Sequence, residues 1–128
     1  MKGTIGKALK TTGLELLVGR FFGHIELEIC RDADVSRPRV RPTSSFSPNS
    51  RVEFPRALRE MFPISTHFMA TVKVCQKTID GNLNGAPYLK AYDIAVIAAS
   101  VSDQGLMARV RIGSVSGLAY EYIWKTKE

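Results

Sequence analysis

Soft metal ligands and reactive nucleophiles are scarce in this chain, and their scarcity removes several chemistries at once. The 128 residues include two cysteines (Cys30 and Cys75), two histidines (His24 and His67) and one tryptophan (Trp124). Two cysteines are not a disulfide framework for a domain of this size. Both lie in apolar runs, where a free Cys behaves as a small core residue. A two-His, two-Cys zinc site fails on spacing. His24 and Cys30 would stand about 20 Å apart along one extended strand, and His67 and Cys75 farther still, so neither pair can share an ion. No metal and no cofactor is expected.

Long hydrophobic runs are also missing. No segment approaches the ~18 apolar residues needed to span a bilayer. The opening Met1 to Lys7 has neither an uninterrupted apolar stretch nor a small-residue cleavage site. The expectation is a cytoplasmic protein that does not engage a membrane. Gly3-Thr4-Ile5-Gly6-Lys7 lacks the spacing and the following hydroxyl of a phosphate loop, no serine sits in a nucleophile elbow, and no acid-x-Lys nuclease pair occurs. No catalytic residue is assigned, and an enzyme is the weaker expectation.

What is present is an ordinary globular balance with a positive bias. The chain is 45% hydrophobic and 23% charged, enough apolar surface for a packed core, and its length suits a single domain over 1–128. Eighteen Lys and Arg against twelve Asp and Glu leave +6, which favours an anionic partner.

Period-2 alternation dominates the pattern. Ile25, Leu27 and Ile29 alternate with Glu26 and Glu28, and Phe68, Ala70, Val72 and Val74 share one face of the next clear strand. The turn-rich Asp80 to Pro87 leads into a strand at Tyr88 to Ile97. Leu106 to Ile112 and Leu118 to Trp124 read as two more, which makes an antiparallel meander. Leu14 to Val18, bounded by glycines, reads as a further short strand, and Phe54 to Phe62 as a short helix with Pro55 in its first turn and Pro63 beyond its end. The expected fold is mainly β (α+β): a small antiparallel barrel or curled sheet of five to seven strands, of the oligonucleotide-binding or SH3-like type, with one short helix.

Residues 32–50 interrupt this pattern with three prolines and five serines. They read as a long basic loop, because each Pro removes a ladder donor and bars a central strand. From residue 31 to 59 stand Arg31, Arg37, Arg39, Arg41, Arg51, Arg56 and Arg59 against Asp32, Asp34 and Glu53, with no Lys. Seven positive and three negative charges leave +4 of the chain's +6 in this window. Guanidinium forks pair two-pronged with phosphate and stack on bases. Arg37, Arg39 and Arg41 would lie about 6.6 Å apart on one side of an extended segment.

Aromatics supply the second candidate surface. Tyr88 and Tyr92 share a strand face with Lys90, and Arg109 and Arg111 would line the polar face of the strand that follows. Aromatic platforms interleaved with cations hold single-stranded nucleic acid on a sheet. The sequence therefore suggests a nucleic-acid-binding domain driven by charge and stacking, with Arg37, Arg39, Arg41, Arg51, Arg56, Arg59, Tyr88, Lys90, Tyr92, Arg109 and Arg111 as its contact residues. Two alternatives stand beside it. One is a protein-interaction or small-ligand module using Phe21, Phe22 and the Tyr120 to Trp124 strand, or a barrel mouth, with the 118–124 strand as the candidate homo-oligomer contact. The other is a small metal-independent ribonuclease built on His24 or His67.

Overall fold

The structure, a computed structural model, describes residues 13–111. It opens with a 3-10 turn at Gly13–Leu17, followed by β1 (Phe21–Cys30), β2 (Arg39–Pro42) and β3 (Val52–Glu53). Helix α1 (Arg56–Met61) precedes the long strands β4 (His67–Ile79) and β5 (Asn82–Val96). A 3-10 turn at Ala98–Ser100 and helix α2 (Gln104–Arg111) complete the described chain. The five strands form one sheet in the order β2-β1-β4-β5-β3, antiparallel except for the parallel pair β3–β5.

The β4–β5 hairpin is the backbone of the sheet, and a two-residue turn specifies it. Asp80 and Gly81 both take positive φ (53° and 81°) between the paired Ile79 and Asn82. This is the turn whose twist matches that of the strands, and it favours Asp-Gly for its left-handed backbone. The strand expected to begin at Tyr88 therefore begins at Asn82, inside the segment expected to be turn. Pro87 is accommodated because the β4–β5 register shifts between Cys75 and Lys77, where a missing donor breaks no ladder bond. Gln76 Nε2 donates to the Gly85 carbonyl at 2.7 Å across that irregularity. Further register shifts fall between Phe22 and Ile25 on β1 and between Met69 and Thr71 on β4. His24 (φ 56°) and Asp93 (φ 52°) lie at these points, and bulges of this kind bend a sheet and increase its twist.

The core forms on the inner face of the curled sheet. Leu27, Ile29, Phe68, Val72 and Val74 are fully buried there, as the alternation predicts, and Leu89 and Val96 join them on either side of the β5 irregularity at Asp93. Helix α1 contributes Leu58, and Phe54 and Phe62 flank it, their rings 5.0 and 5.4 Å from the Phe68 ring. Phe68 is the point where sheet and helix layers meet. Helix α2 adds Leu106, Met107 and Val110 to the same cluster. Cys30 and Cys75 are unbridged, and burial pushes the Cys30 thiol above its ordinary range, partly offset by Arg39 and Arg41.

Five sequence expectations change. The sheet curls until β2 and β3 lie beside each other, but they do not pair, so it is an open sheet and not a closed barrel. The sheet is also not antiparallel throughout, because β3 runs parallel to β5. Leu14 to Val18 is a 3-10 turn rather than a strand. The strand expected from Leu106 is not one either: Gln104–Arg111 forms α2, capped where the Leu106 amide donates to Asp103 Oδ1 at 2.9 Å. The 32–50 segment is no uniform loop, since Arg39–Pro42 pairs with β1 as an edge strand, where flanking prolines are tolerated. The 118–124 strand, with its proposed self-contact, lies outside the described residues. Among the described residues no helix is long and apolar enough to cross a membrane.

Truncating the ring at the sheet–helix junction tests this packing. Phe68→Ala is expected to destabilise the protein by about 3–5 kcal/mol. Phe68→Leu is expected to cost clearly less, both read from urea unfolding midpoints at constant m.

Candidate functional site

The unjoined edges of β2 and β3 create the first site. Between them lies a cleft of about 480 Å³ whose lining includes Asp32, Arg37, Arg39, Arg51 and Arg59, with the buried Val40 and Val52. The arginines come from four different places: Arg37 from the chain before β2, Arg39 from β2, Arg51 from the residue before β3 and Arg59 from α1. Arg39 is already engaged, its Nε donating to Asp32 Oδ2 at 2.9 Å and its Nη2 to the Pro48 carbonyl at 3.2 Å. Among the described residues Arg37, Arg51 and Arg59 form no ion pair with a carboxylate. Arg59 Nε is buried with no hydrogen-bond partner there. A desolvated, unsatisfied donor is costly, and a concave site crowded with positive charge lowers that cost when an anion enters.

The remaining candidate arginines are not part of this cleft. Arg41 turns to Glu28, Nε to Oε1 at 3.1 Å, and that hydrogen bond holds its guanidinium above the usual arginine range. The expected single row of Arg37, Arg39 and Arg41 is thereby divided. Arg56 pairs with Glu60 one turn away on α1 at 2.7 Å. Arg109 is exposed on α2, and Arg111 is the last residue of the same helix rather than part of a sheet face.

The outer face of the sheet carries the second site. Because Leu89 is buried, Tyr88 and Lys90 project to the opposite side, and the ladder places Lys73 opposite Lys90 and Phe21 opposite Lys73. A cross-strand row of Phe21, Lys73, Lys90 and Glu53 results. The Tyr92 ring lies 5.9 Å from Phe21, with Lys90 Nζ 5.5 Å from Tyr92 and Lys73 Nζ 5.4 Å from Phe21. Tyr92 and Glu53 hold the Lys90 ammonium above its ordinary range, so it is fully charged at neutral pH. Phe21 is 59% exposed. Its place beside Tyr92 could not be read from the sequence, because a register shift in β1 decides which way the ring points.

Arg51 joins the two sites. It lines the cleft, and its guanidinium carbon lies 5.0 Å from the Tyr88 ring centroid, an arrangement attractive through the ring's negative face.

A third cluster was not apparent from the sequence, where Glu26 and Glu28 mark only the polar positions of an alternating strand. His67 sits between them, Nδ1 2.5 Å from Glu26 Oε2 and Nε2 3.5 Å from Glu28 Oε2, while Glu28 also receives Arg41. Both ring nitrogens face carboxylates, which favours a tie across β1, β2 and β4 over acid–base chemistry on a substrate. His24 is exposed in the β1 bulge. Among the described residues no group of three or more His, Cys, Asp and Glu is placed to hold a metal ion.

A second concavity, about 630 Å³ between the 3-10 turn and the 45–50 segment, has Leu14, Leu17 and Phe46 in its lining and no charged residue. Charge therefore distinguishes the β2–β3 cleft. Phe22, expected in an exposed aromatic patch, is half-buried with its ring 5.4 Å from Phe46.

The His67 tie has a direct test. Glu28→Gln is expected to lower the urea midpoint, because Glu28 is half-buried and serves two partners. Glu60→Gln, whose partner Arg56 is 79% exposed, is expected to leave it unchanged. Comparison with known proteins adds no relative: no family model, no curated protein and no solved structure matches the chain.

Proposed function

We propose that this chain binds nucleic acid through a track that runs from the arginine cleft onto the aromatic outer face of the sheet, and that its ligand is single-stranded. The observation that carries this reading is the double position of Arg51, in the cleft and over Tyr88. It makes a phosphate-binding surface and a base-stacking surface contiguous. Stacking on Tyr88, Tyr92 and Phe21 requires unpaired bases, since a duplex keeps its π-faces inside. Guanidiniums supply the backbone contacts, and Lys73 and Lys90 flank the rings. Such a surface has no fixed set of donors and acceptors for base edges, so affinity comes from charge and stacking with little sequence preference.

The reading narrows the sequence expectation. Arg37, Arg39, Arg51, Arg59, Tyr88, Lys90 and Tyr92 form the track, joined by Phe21 and Lys73. Arg41 and Arg56 belong to ion pairs within the fold.

Fluorescence anisotropy of labelled single- and double-stranded DNA and RNA across a salt series tests this. Single strands are expected to bind with a steep salt slope. Arg51→Ala is expected to reduce that slope by about 0.7, the loss of one phosphate contact, whereas Arg56→Ala leaves it unchanged. Tyr92→Ala is expected to weaken binding by about 1–3 kcal/mol at every salt concentration, as the loss of one stacked base does. Absence of binding at low salt, or equal effects of Arg51→Ala and Arg56→Ala, would overturn the reading.

A further inference from the structure

The arginine cleft has a shape and charge that a running phosphodiester backbone does not require. Backbone phosphates each carry one negative charge and are met along a track by cations spaced one after another. Here four guanidiniums, from the segment before β2, from β2, from the residue before β3 and from α1, converge on one concavity of about 480 Å³. That volume falls in the range of small-ligand pockets, about 300–1,000 Å³. The single carboxylate in the lining, Asp32, is bound to Arg39. Glu60, outside the lining and paired with Arg56, also feels the charges of Arg59 and Arg37, but no carboxylate forms an ion pair with Arg37, Arg51 or Arg59 among the described residues. Arg59 Nε is buried and lacks a partner among the described residues.

A phosphomonoester matches these features. It carries about −1.5 to −2 at neutral pH and presents three strong acceptor oxygens, one for each guanidinium without a carboxylate partner. Planar forks bind such oxygens in pairs, which a phosphodiester with two non-bridging oxygens satisfies less fully. Tyr88, beneath Arg51, stands where a base attached to that phosphate would meet a ring.

We infer that the β2–β3 cleft is a pocket for a terminal phosphomonoester, so that the chain captures the phosphorylated end of a single strand and lays the adjoining nucleotides along Tyr88, Lys90 and Tyr92. The inference rests on the nucleic-acid reading and adds an end preference to it. The open seam then has a function: a closed barrel would fill with ladder hydrogen bonds the space that the end group occupies.

The test is competition binding with the full chain, using one unstructured oligonucleotide sequence in three forms: 5′-phosphorylated, 3′-phosphorylated and hydroxyl at both ends. One phosphorylated form is expected to bind about tenfold tighter than the hydroxyl form. Arg37→Gln, an exposed position that the fold tolerates, and Arg59→Met, which keeps the aliphatic stem, are each expected to abolish that advantage. Binding of the hydroxyl-ended strand should fall only as the loss of one backbone phosphate contact requires, since both arginines also belong to the track. Thermal unfolding of both variants checks that they fold, and Arg37→Gln alone suffices if Arg59→Met does not. Equal binding of all three forms overturns the end-capture inference and leaves the strand-binding reading intact. So does an advantage that survives Arg37→Gln. Failure of every form to bind at low salt overturns both.

Discussion

A sheet that curls until its first and last strands lie side by side, without joining them, leaves two edges facing one another across a narrow gap. Everything distinctive about this protein follows from that seam between β2 and β3. Ladder pairing there would need donors and acceptors in register on both strands. β3 offers two residues, and β2 is flanked by Pro38 and ends at Pro42, each proline lacking an amide hydrogen. The edges approach because β1, β4 and β5 twist and bulge, and they stay apart because neither can pair. Unpaired edges invite association with other strands, and charged side chains are a common way of blocking it. Arg39 and Arg51 stand at these edges, so the groups that protect the seam also give it its positive charge.

The site is held in place by elements whose own stability does not depend on it. The β4–β5 hairpin and the Phe54–Phe62–Phe68 cluster position Arg51 and Arg59 from opposite sides, one through β3, the other through α1. The His67 tie with Glu26 and Glu28, and the Arg41–Glu28 pair, fix β2 against β1 and β4. Acidic residues at that end of the sheet engage Arg41 and His67, while the end carrying Phe21, Lys73, Lys90 and Tyr92 is opposed by Glu53 and keeps a net positive charge. The outer face is thus divided into a half of paired charges that fastens strands together and a cationic aromatic half.

The strands with a dry face were legible from alternation alone. Ile25, Leu27 and Ile29, and Phe68 through Val74, occupy the inner face that period 2 requires, and the apolar spacing of Phe54, Leu58 and Phe62 marked α1. The misreading at α2 has a physical origin. Leu106 and Val110 are four residues apart, a separation that lies on one face of both a helix and a strand. Met107, buried, and Ala108, exposed, separate the two, and Asp103 ahead of them is a helix cap whose signal the alternation obscured. β3 was invisible because two residues carry no periodicity.

By itself the sequence determined the mainly-β character, the apolar faces, the Asp80-Gly81 turn and the concentration of arginine between residues 31 and 59, because each is a local property of adjacent side chains or of backbone dihedrals. Which arginines act together was decided only by tertiary structure. Arg39 and Arg41 are two residues apart yet turn to different acids, whereas Arg37 and Arg59 are twenty-two apart and line one cleft. Curl of the sheet, register shifts at Phe22 and Met69, and the placing of α1 beneath the seam set those neighbours. These are cooperative consequences of packing the whole inner face, and no short stretch of sequence contains them.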